Sequence, residues 1–182
     1  MVNYRVLVTG HNEKDESQIV SIEPIRVDNT FTYQPGFSVE IFWKTPKNVT
    51  VGGEFESTAS DSSSILPEPS GTTAMIITFP PAANNESPEA VDFENLIKEM
   101  FERLPGLAEK FEPDSPGFHR TDTVDYVVLL EGELRLLLDN DESADLTVGD
   151  VIIQNGTRHA WNNVSNSDAR VLVVMVGATR KN

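Results

Sequence analysis

The side chains best suited to chemistry lie in two segments of the second half of the chain. The first, GFHRTDTVDY at residues 117–126, contains His119 and Asp125, and the second, GDVIIQNGTRHAWNN at residues 149–163, contains His159. The chain has three histidines and no cysteine, which excludes a thiol nucleophile. Imidazole gains and loses a proton near neutral pH and is a frequent metal ligand. We therefore expect function where these two segments meet.

His119 and Asp125 could act together if the backbone reverses between them. On one continuous strand, six residues would separate the two side chains by about 20 Å. The intervening residues 121–124 are Thr-Asp-Thr-Val, a polar and turn-like stretch. We predict a reversal there, which would place His119 and Asp125 on adjacent strands with converging side chains.

Both segments belong to a series of short apolar stretches bounded by turn residues, a pattern typical of antiparallel strands. These stretches lie at residues 4–9, 18–22, 37–43, 73–79, 125–130, 134–138, 146–148, 151–153, 159–164 and 170–176. His11 falls in the polar stretch 10–17 and is expected to be a surface residue. Closely spaced strands with turns between nearly all of them predict an antiparallel barrel or jelly roll.

One helix and one long loop interrupt the strands. Ser87 and Pro88 predict the N-cap and first position of a helix from about residue 88 to 104. Its apolar residues repeat at helical spacing, and Pro105-Gly106 ends it. Residues 51–70 are rich in Gly, Ser, Glu and Pro and predict a mobile surface loop. A loop of this length is either disordered or a lid over a site, and disorder is the simpler interpretation.

The two chemistry-bearing segments resemble the two motifs of the cupin superfamily. The first motif reads Gly, several residues, His-x-His, a short gap, Glu, six residues, Gly. The second reads Gly, several residues, Pro-x-Gly-x-x-His-x-x-x-Asn. Positions of the first motif are held by His119, Thr121, Asp125 and Gly132, with threonine for the second histidine and aspartate for the glutamate. Positions of the second are held by Gly149, Gln154, Gly156, His159 and Asn163, with glutamine for the proline.

This resemblance implies an all-β fold, an antiparallel cupin-type jelly-roll β-barrel with one helix and an N-terminal strand extension. Residues 1–71 would form the N-terminal strands and mobile loop, and residues 72–182 the barrel, within a single structural domain. Cupins commonly pair through outer strands, so a homodimer is expected, and an exposed N-terminal strand edge supplies a physical means.

Many cupins hold a divalent metal, which by resemblance implies a metal site at His119, Asp125 and His159. Two imidazoles and one carboxylate match the facial triad that leaves positions open on Fe(II). Some cupin-type ring-opening dioxygenases are similar, so Fe(II) is favoured, with Mn, Ni or Zn chemically possible. The leading hypothesis is a metal-dependent enzyme that acts on a small organic substrate by oxygenase or lyase chemistry.

Two alternatives remain open. A metal-independent site could use the same three catalytic side chains as acids and bases for dehydration, decarboxylation, isomerisation or cyclisation. A non-catalytic barrel could instead bind a small ligand. In each case the expected pocket residues are Trp161, Tyr126, Gln154, Arg135 and Thr121. Trp161 should share the face of His159, Arg120 should point away from His119, and Asn163 should fix a turn by hydrogen bonding.

Charge narrows the classes of partner. A formal net charge of −15 at pH 7 opposes binding to nucleic acid or to anionic membrane surfaces. No apolar run is long enough to cross a bilayer, and the first ten residues are too short and too soon polar to be a signal peptide. These features predict a cytoplasmic protein whose partner is a small-molecule substrate.

Overall fold

The computed structural model describes residues 4–52, 64–81 and 92–181. Within these ranges the chain forms ten strands, one α-helix and two short 3-10 turns. The strands are β1 Arg5–His11, β2 Ser17–Pro24, β3 Ser38–Thr45, β4 Thr72–Phe79, β5 Thr123–Glu131, β6 Leu134–Leu137, β7 Ser143–Leu146, β8 Val151–Asn155, β9 Ala160–Asn162 and β10 Ala169–Gly177. The helix is α1 Phe93–Arg103, and the 3-10 turns are Ala108–Lys110 and Asp139–Asp141.

All strand pairs in the described ranges are antiparallel, and they form three sheets. The largest has the order β3-β4-β10-β5-β8, a smaller one has the order β7-β6-β9, and β1 pairs with β2 alone. The two barrel sheets bury one apolar cluster between them, built from Met75, Val127, Leu129, Leu134, Leu136, Leu146, Ala169, Val171, Val173 and Met175. The predicted all-β antiparallel barrel is confirmed.

Alternation of side chains explains how the barrel strands form. Strand β10 reads ARVLVVMVG, and every second residue from Ala169 to Gly177 is buried. The same period of two occurs in β5 and β6, as expected for strands with one face on the core. Strand β7 differs from the predicted stretch 146–148 because it starts at Ser143, where it pairs with Leu137 of β6.

The β1–β2 hairpin stands apart from both barrel sheets. Tyr4 ties it to the barrel by donating its hydroxyl hydrogen to Glu131 Oε1 at 2.7 Å. His11 is exposed as expected, but it is the last residue of β1, opposite Ser17, and does not lie in the loop. Strand β3 lies at the edge of the five-stranded sheet next to β4, so the predicted boundary between residues 71 and 72 falls between two paired strands and stays a prediction.

The helix begins later than the sequence pattern predicts. Asp92 is the N-cap, and its carboxylate accepts the Asn95 backbone N–H at 3.2 Å. The predicted cap, Ser87 with Pro88, lies outside the described residues. The predicted end is confirmed, since α1 stops at Arg103 and Leu104 is buried in a second apolar cluster.

Part of the predicted mobile loop is fixed in place. Residues 53–63 lie outside the described ranges, but Ile65 is buried and donates its backbone N–H to the Pro105 carbonyl at 2.8 Å. Ser70 donates its backbone N–H to the Gly177 carbonyl at 2.9 Å. Residues 64–70 form no helix or strand, as predicted for a loop, but buried Ile65 and these hydrogen bonds anchor the stretch, and its mobility stays a prediction.

Candidate functional site

Two histidines face each other where the two motif segments meet. His119 and His159 exchange backbone hydrogen bonds, each N–H donating to the other carbonyl at 3.0 Å. Their rings lie 4.4 Å apart between centroids. Phe111 flanks the His119 ring at 4.8 Å, and Trp161 meets the His159 ring edge-on at 5.6 Å. We refer to His119 and His159 as the histidine pair.

Both rings of the histidine pair are held in the same tautomer. Nδ1 of His119 lies 3.1 Å from the Gly117 carbonyl oxygen, and Nδ1 of His159 lies 3.0 Å from the Thr157 carbonyl oxygen. Since a carbonyl only accepts, each Nδ1 has the hydrogen. Each Nε2 then has a free lone pair when the ring is neutral, and that lone pair can accept a hydrogen bond or bind a metal.

Burial keeps the histidine pair neutral. Loss of solvent lowers the pKa of His119, while the Gly117 carbonyl and the charge of Glu112 act in the opposite direction. For His159, burial and then the neighbouring His119 lower the pKa to about 4. At pH 7 His159 is therefore an acceptor and a weak base.

Asp125 lies in the barrel interior and is 5% exposed. Burial raises its pKa from 3.8 to about 6, against an opposing hydrogen bond from Thr123. The Thr123 hydroxyl is also 2.7 Å from that of Thr121, so Thr121, Thr123 and Asp125 form a chain of hydrogen-bonded side chains. One carboxylate oxygen of Asp125 has no hydrogen-bond partner in the described part of the chain.

A polar row crosses the large sheet at the level of Asp125. The row consists of three polar residues and one methionine, all buried and paired in register across four strands: Thr73, Met175, Asp125 and Gln154. Among described residues, Thr73 Oγ1, Asp125 Oδ1 and Gln154 Nε2 all lack a partner. The neighbouring row is apolar, with Met75, Val173 and Val127. Unpaired buried polar atoms are rare and costly, and three in one row indicate an interior suited to polar groups of a bound molecule.

Asp125 does not join the histidine pair in a metal-binding group. His119 opposes His159, and Val124 opposes Asn155, so the first segment runs antiparallel to the second throughout and the predicted reversal is absent. Asp125 consequently faces Gln154. No group of three His, Cys, Asp or Glu side chains able to hold a metal ion occurs among the described residues. The set His119, Asp125 and His159 thus does not fit a metal ion as it is arranged here.

The other expected pocket residues divide between the two faces of the barrel. Thr121 and Gln154 are buried inside, and Trp161 shares the face of His159 as expected. Tyr126 and Arg135 lie outside. Tyr126 is 49% exposed because it follows the inward Asp125, and Arg135 follows the inward Leu134 and pairs with Asp145 through Nε at 2.5 Å.

Asn163 fixes a turn, as predicted. Its amide nitrogen donates to the carbonyls of Phe79 at 2.8 Å and Ser167 at 2.7 Å, and its amide oxygen accepts the backbone N–H and the hydroxyl of Ser165. The role of Asn163 is therefore structural, at the end of β9.

The sequence interpretation missed a group that fixes the position of the histidine pair. Arg158 donates to both carboxylate oxygens of Glu112, at 2.8 Å from Nε and 2.7 Å from Nη2, and its guanidinium lies 4.0 Å from the Phe118 ring centroid. This fork ties the residues before His119 to the residue before His159. Glu112 lies outside both motifs, so only its charge could have indicated this role.

Comparison with known proteins gives one family and several relatives. The family model described as "Cupin domain" matches residues 109–175. "Phomopsin biosynthesis cluster protein C'" of Diaporthe leptostromiformis is 51% identical over 49 residues, 27% of this chain and 26% of that protein. "Oryzines biosynthesis cluster protein J" of Aspergillus oryzae is 44% identical over 64 residues, 35% of this chain and 36% of that protein.

A third relative is named as an enzyme. The "Cupin-domain-containing oxidoreductase fogC" of Aspergillus ruber is 29% identical over 97 residues, which are 52% of this chain and 44% of that protein. The chain therefore spans less than half the length of each of these three relatives. Separately, no helix in the described ranges is long and apolar enough to cross a membrane.

Proposed function

We propose that this chain, whose residues 109–175 match the cupin family model, is an enzyme acting on a small organic substrate in the barrel interior by proton transfer. The observation that supports this most is Asp125, a buried carboxyl group with one unpartnered oxygen and a pKa raised to about 6. A group that titrates near the working pH is an efficient proton carrier. Relatives named as biosynthetic-cluster proteins and as an oxidoreductase support an enzymatic role.

The side chains around Asp125 have distinct tasks in this proposal. Unpartnered Oδ1 of Asp125 removes a proton from the substrate and returns it at another atom, which suits dehydration, isomerisation, decarboxylation or cyclisation. Thr123 donates to the carboxylate and holds its orientation. The neutral histidine pair accepts hydrogen bonds at Nε2 from substrate hydroxyl groups, and Gln154 Nε2 donates to a substrate oxygen.

A metal-dependent oxygenase is the second candidate. Metal-ligating histidines usually donate their other ring N–H to a carbonyl or carboxylate, and both members of the histidine pair do so. The Aspergillus ruber relative, which is named as an oxidoreductase, also favours redox chemistry. Against it, Asp125 is not grouped with the two imidazoles in the described structure.

The proposal is tested by product formation from a mixture of candidate small molecules. Wild-type protein, Asp125→Asn and Tyr126→Phe are each incubated with an extract of small organic metabolites, with and without a chelator, and the products are measured by mass spectrometry. Asp125→Asn should abolish the new products, Tyr126→Phe should retain them because Tyr126 lies outside the barrel, and the chelator should have no effect. Full turnover by Asp125→Asn would overturn the proposal.

A further inference from the structure

A charged cleft is lined by residues that adjoin the histidine pair, among them Arg120 and Arg158. It has a volume of about 530 Å³. Four basic side chains line it, Lys110, Arg120, Arg158 and Arg180. Three acidic side chains line it as well, Glu109, Glu112 and Asp122. One positive charge is left over in this cleft, although the whole chain has a net charge of −15.

Two of the acidic groups are already paired with arginines. Glu112 is held in the fork with Arg158, which also reaches Asp139 at 2.9 Å. Asp122 accepts from Arg180 Nε at 2.5 Å. These pairs neutralise the acids and fix the walls of the cleft.

The side chains of Arg120 and Lys110 make no hydrogen bond or ion pair within the described ranges. The hydrogen bond from Arg158 is the main cause that lowers the pKa of Glu112, and the charge of Arg120 adds to this effect at longer range. Their donors are therefore free to bind a ligand, and an arginine guanidinium presents a planar fork that matches carboxylate and phosphate oxygens. Glu112 and Asp122 are neutralised by their arginines, and Glu109 offsets one of the two uncommitted cations, so the cleft keeps one net positive charge and favours an anion.

The cleft lies close to residues of the proposed reaction site. A second cavity, of about 210 Å³, shares Lys110 and Asp122 with the cleft and is also lined by Thr123. Thr123 is the residue that hydrogen bonds to Asp125. Glu112 in the cleft is also close enough to His119 to affect its pKa. A molecule held at the cleft thus lies next to the polar side chains that lead to Asp125.

We infer that the cleft binds the oxyanion group of the substrate through Arg120 and Lys110, so that the substrate is an organic acid with a carboxylate or phosphate group. This inference rests on the proposed function for its substrate, whereas the anion site itself can be tested alone. Arg158 and Arg180 position the walls and add positive potential. The barrel interior then receives the uncharged, reacting part of the same molecule.

Direct anion binding tests the inference. Acetate, succinate and inorganic phosphate are titrated into the full chain by calorimetry at constant ionic strength, with chloride as the reference anion. Wild type should bind succinate or phosphate. The anion that binds more tightly shows whether the cleft prefers a carboxylate or a phosphate group. Arg120→Gln combined with Lys110→Gln should weaken this binding at least about 10-fold, the loss expected for charge-assisted hydrogen bonds.

The matched control removes two exposed cations elsewhere, Arg5→Gln with Lys14→Gln on the β1–β2 hairpin. Equal binding by the Arg120/Lys110 variant and this control would overturn the inference, as would no binding of any anion above chloride. Asp125→Asn should bind the same anions as wild type. If Asp125→Asn loses turnover while wild type binds no anion, the anion site is refuted and the proposed function stands. If wild type binds the anion and Asp125→Asn keeps full turnover, the proposed function is refuted and the anion site stands.

Discussion

Replacing Asp125 by asparagine should change how the stability of the fold depends on pH. Burial raises the pKa of Asp125 from 3.8 to about 6, so the folded protein holds this proton more tightly than the unfolded chain. The contribution of Asp125 to the free energy of unfolding is fully present below pH 3.8 and is lost as the pH rises through about 6. Asparagine has no proton to lose, so the variant lacks this dependence.

The size of the effect follows from the pKa shift. A rise of about two units corresponds to about 3 kcal/mol once the carboxyl is fully ionised. The sequence pI is about 4.4, and proteins are least soluble near zero net charge, so measurements begin at pH 5. Between pH 5.0 and 7.5 the stability of Asp125→Asn relative to wild type should increase by about 1.5 kcal/mol.

His159 has the opposite pH dependence in the same range. Its pKa is lowered to about 4, so its contribution to stability is lost as the pH falls from about 6.5 toward 4. Wild type alone would show the two effects partly cancelling. The difference between variant and wild type removes the His159 contribution, because both proteins contain this residue.

Urea denaturation at pH 5.0 and 7.5 gives the required free energies of unfolding. Asp145→Asn is the control, since Asp145 is exposed and the hydrogen bond from Arg135 lowers its pKa. Asp145 is therefore ionised throughout this pH range, and the difference between this variant and wild type should stay constant from pH 5.0 to 7.5. A variant-minus-wild-type difference for Asp125→Asn that stays constant, or that decreases with pH, would refute the account of a buried, proton-binding carboxyl.

Two further predictions concern the frame that holds the site. Asn163→Ala should reduce the free energy of unfolding by about 2–4 kcal/mol in urea, because two backbone carbonyls and two Ser165 donors lose their partner; a loss below about 1 kcal/mol would contradict this role. Gly132→Ala should lower the melting temperature more than Gly149→Ala does, since both glycines have positive φ but only at Gly132 would a Cβ meet backbone, 2.5 Å from the Asp168 carbonyl oxygen. Equal losses would show that no clash contributes.

The strands of the barrel could be predicted because their side chains alternate. The stretch 73–79 differs from β4 by one residue at its start, and the stretch 170–176 differs from β10 by one residue at each end. The same alternation, applied to Asp125 and Tyr126, would have placed Tyr126 outside once Asp125 was assigned inward. Local periodicity thus determines which face a residue occupies.

The pairing of the site residues depends on register, which local sequence does not specify. The motif order correctly indicated that the segments with His119 and His159 meet. It did not indicate that the first segment continues without a reversal, which places Asp125 opposite Gln154. Ile65 and Glu112 were missed for a similar reason, since each contacts a residue about 40 positions away and neither belongs to a periodic pattern.

In the proposed function Asp125 transfers protons without help from a metal, and titration with metal ions tests this proposal. Protein without a histidine tag is titrated with Fe(II), Mn(II), Ni(II) and Zn(II) in the absence of oxygen, alongside a His119→Ala/His159→Ala variant. We expect no stoichiometric metal binding that depends on the histidine pair, and we expect the metals to leave turnover unchanged. One ion bound per wild-type chain, lost in the double variant and required for turnover, would contradict the proposal.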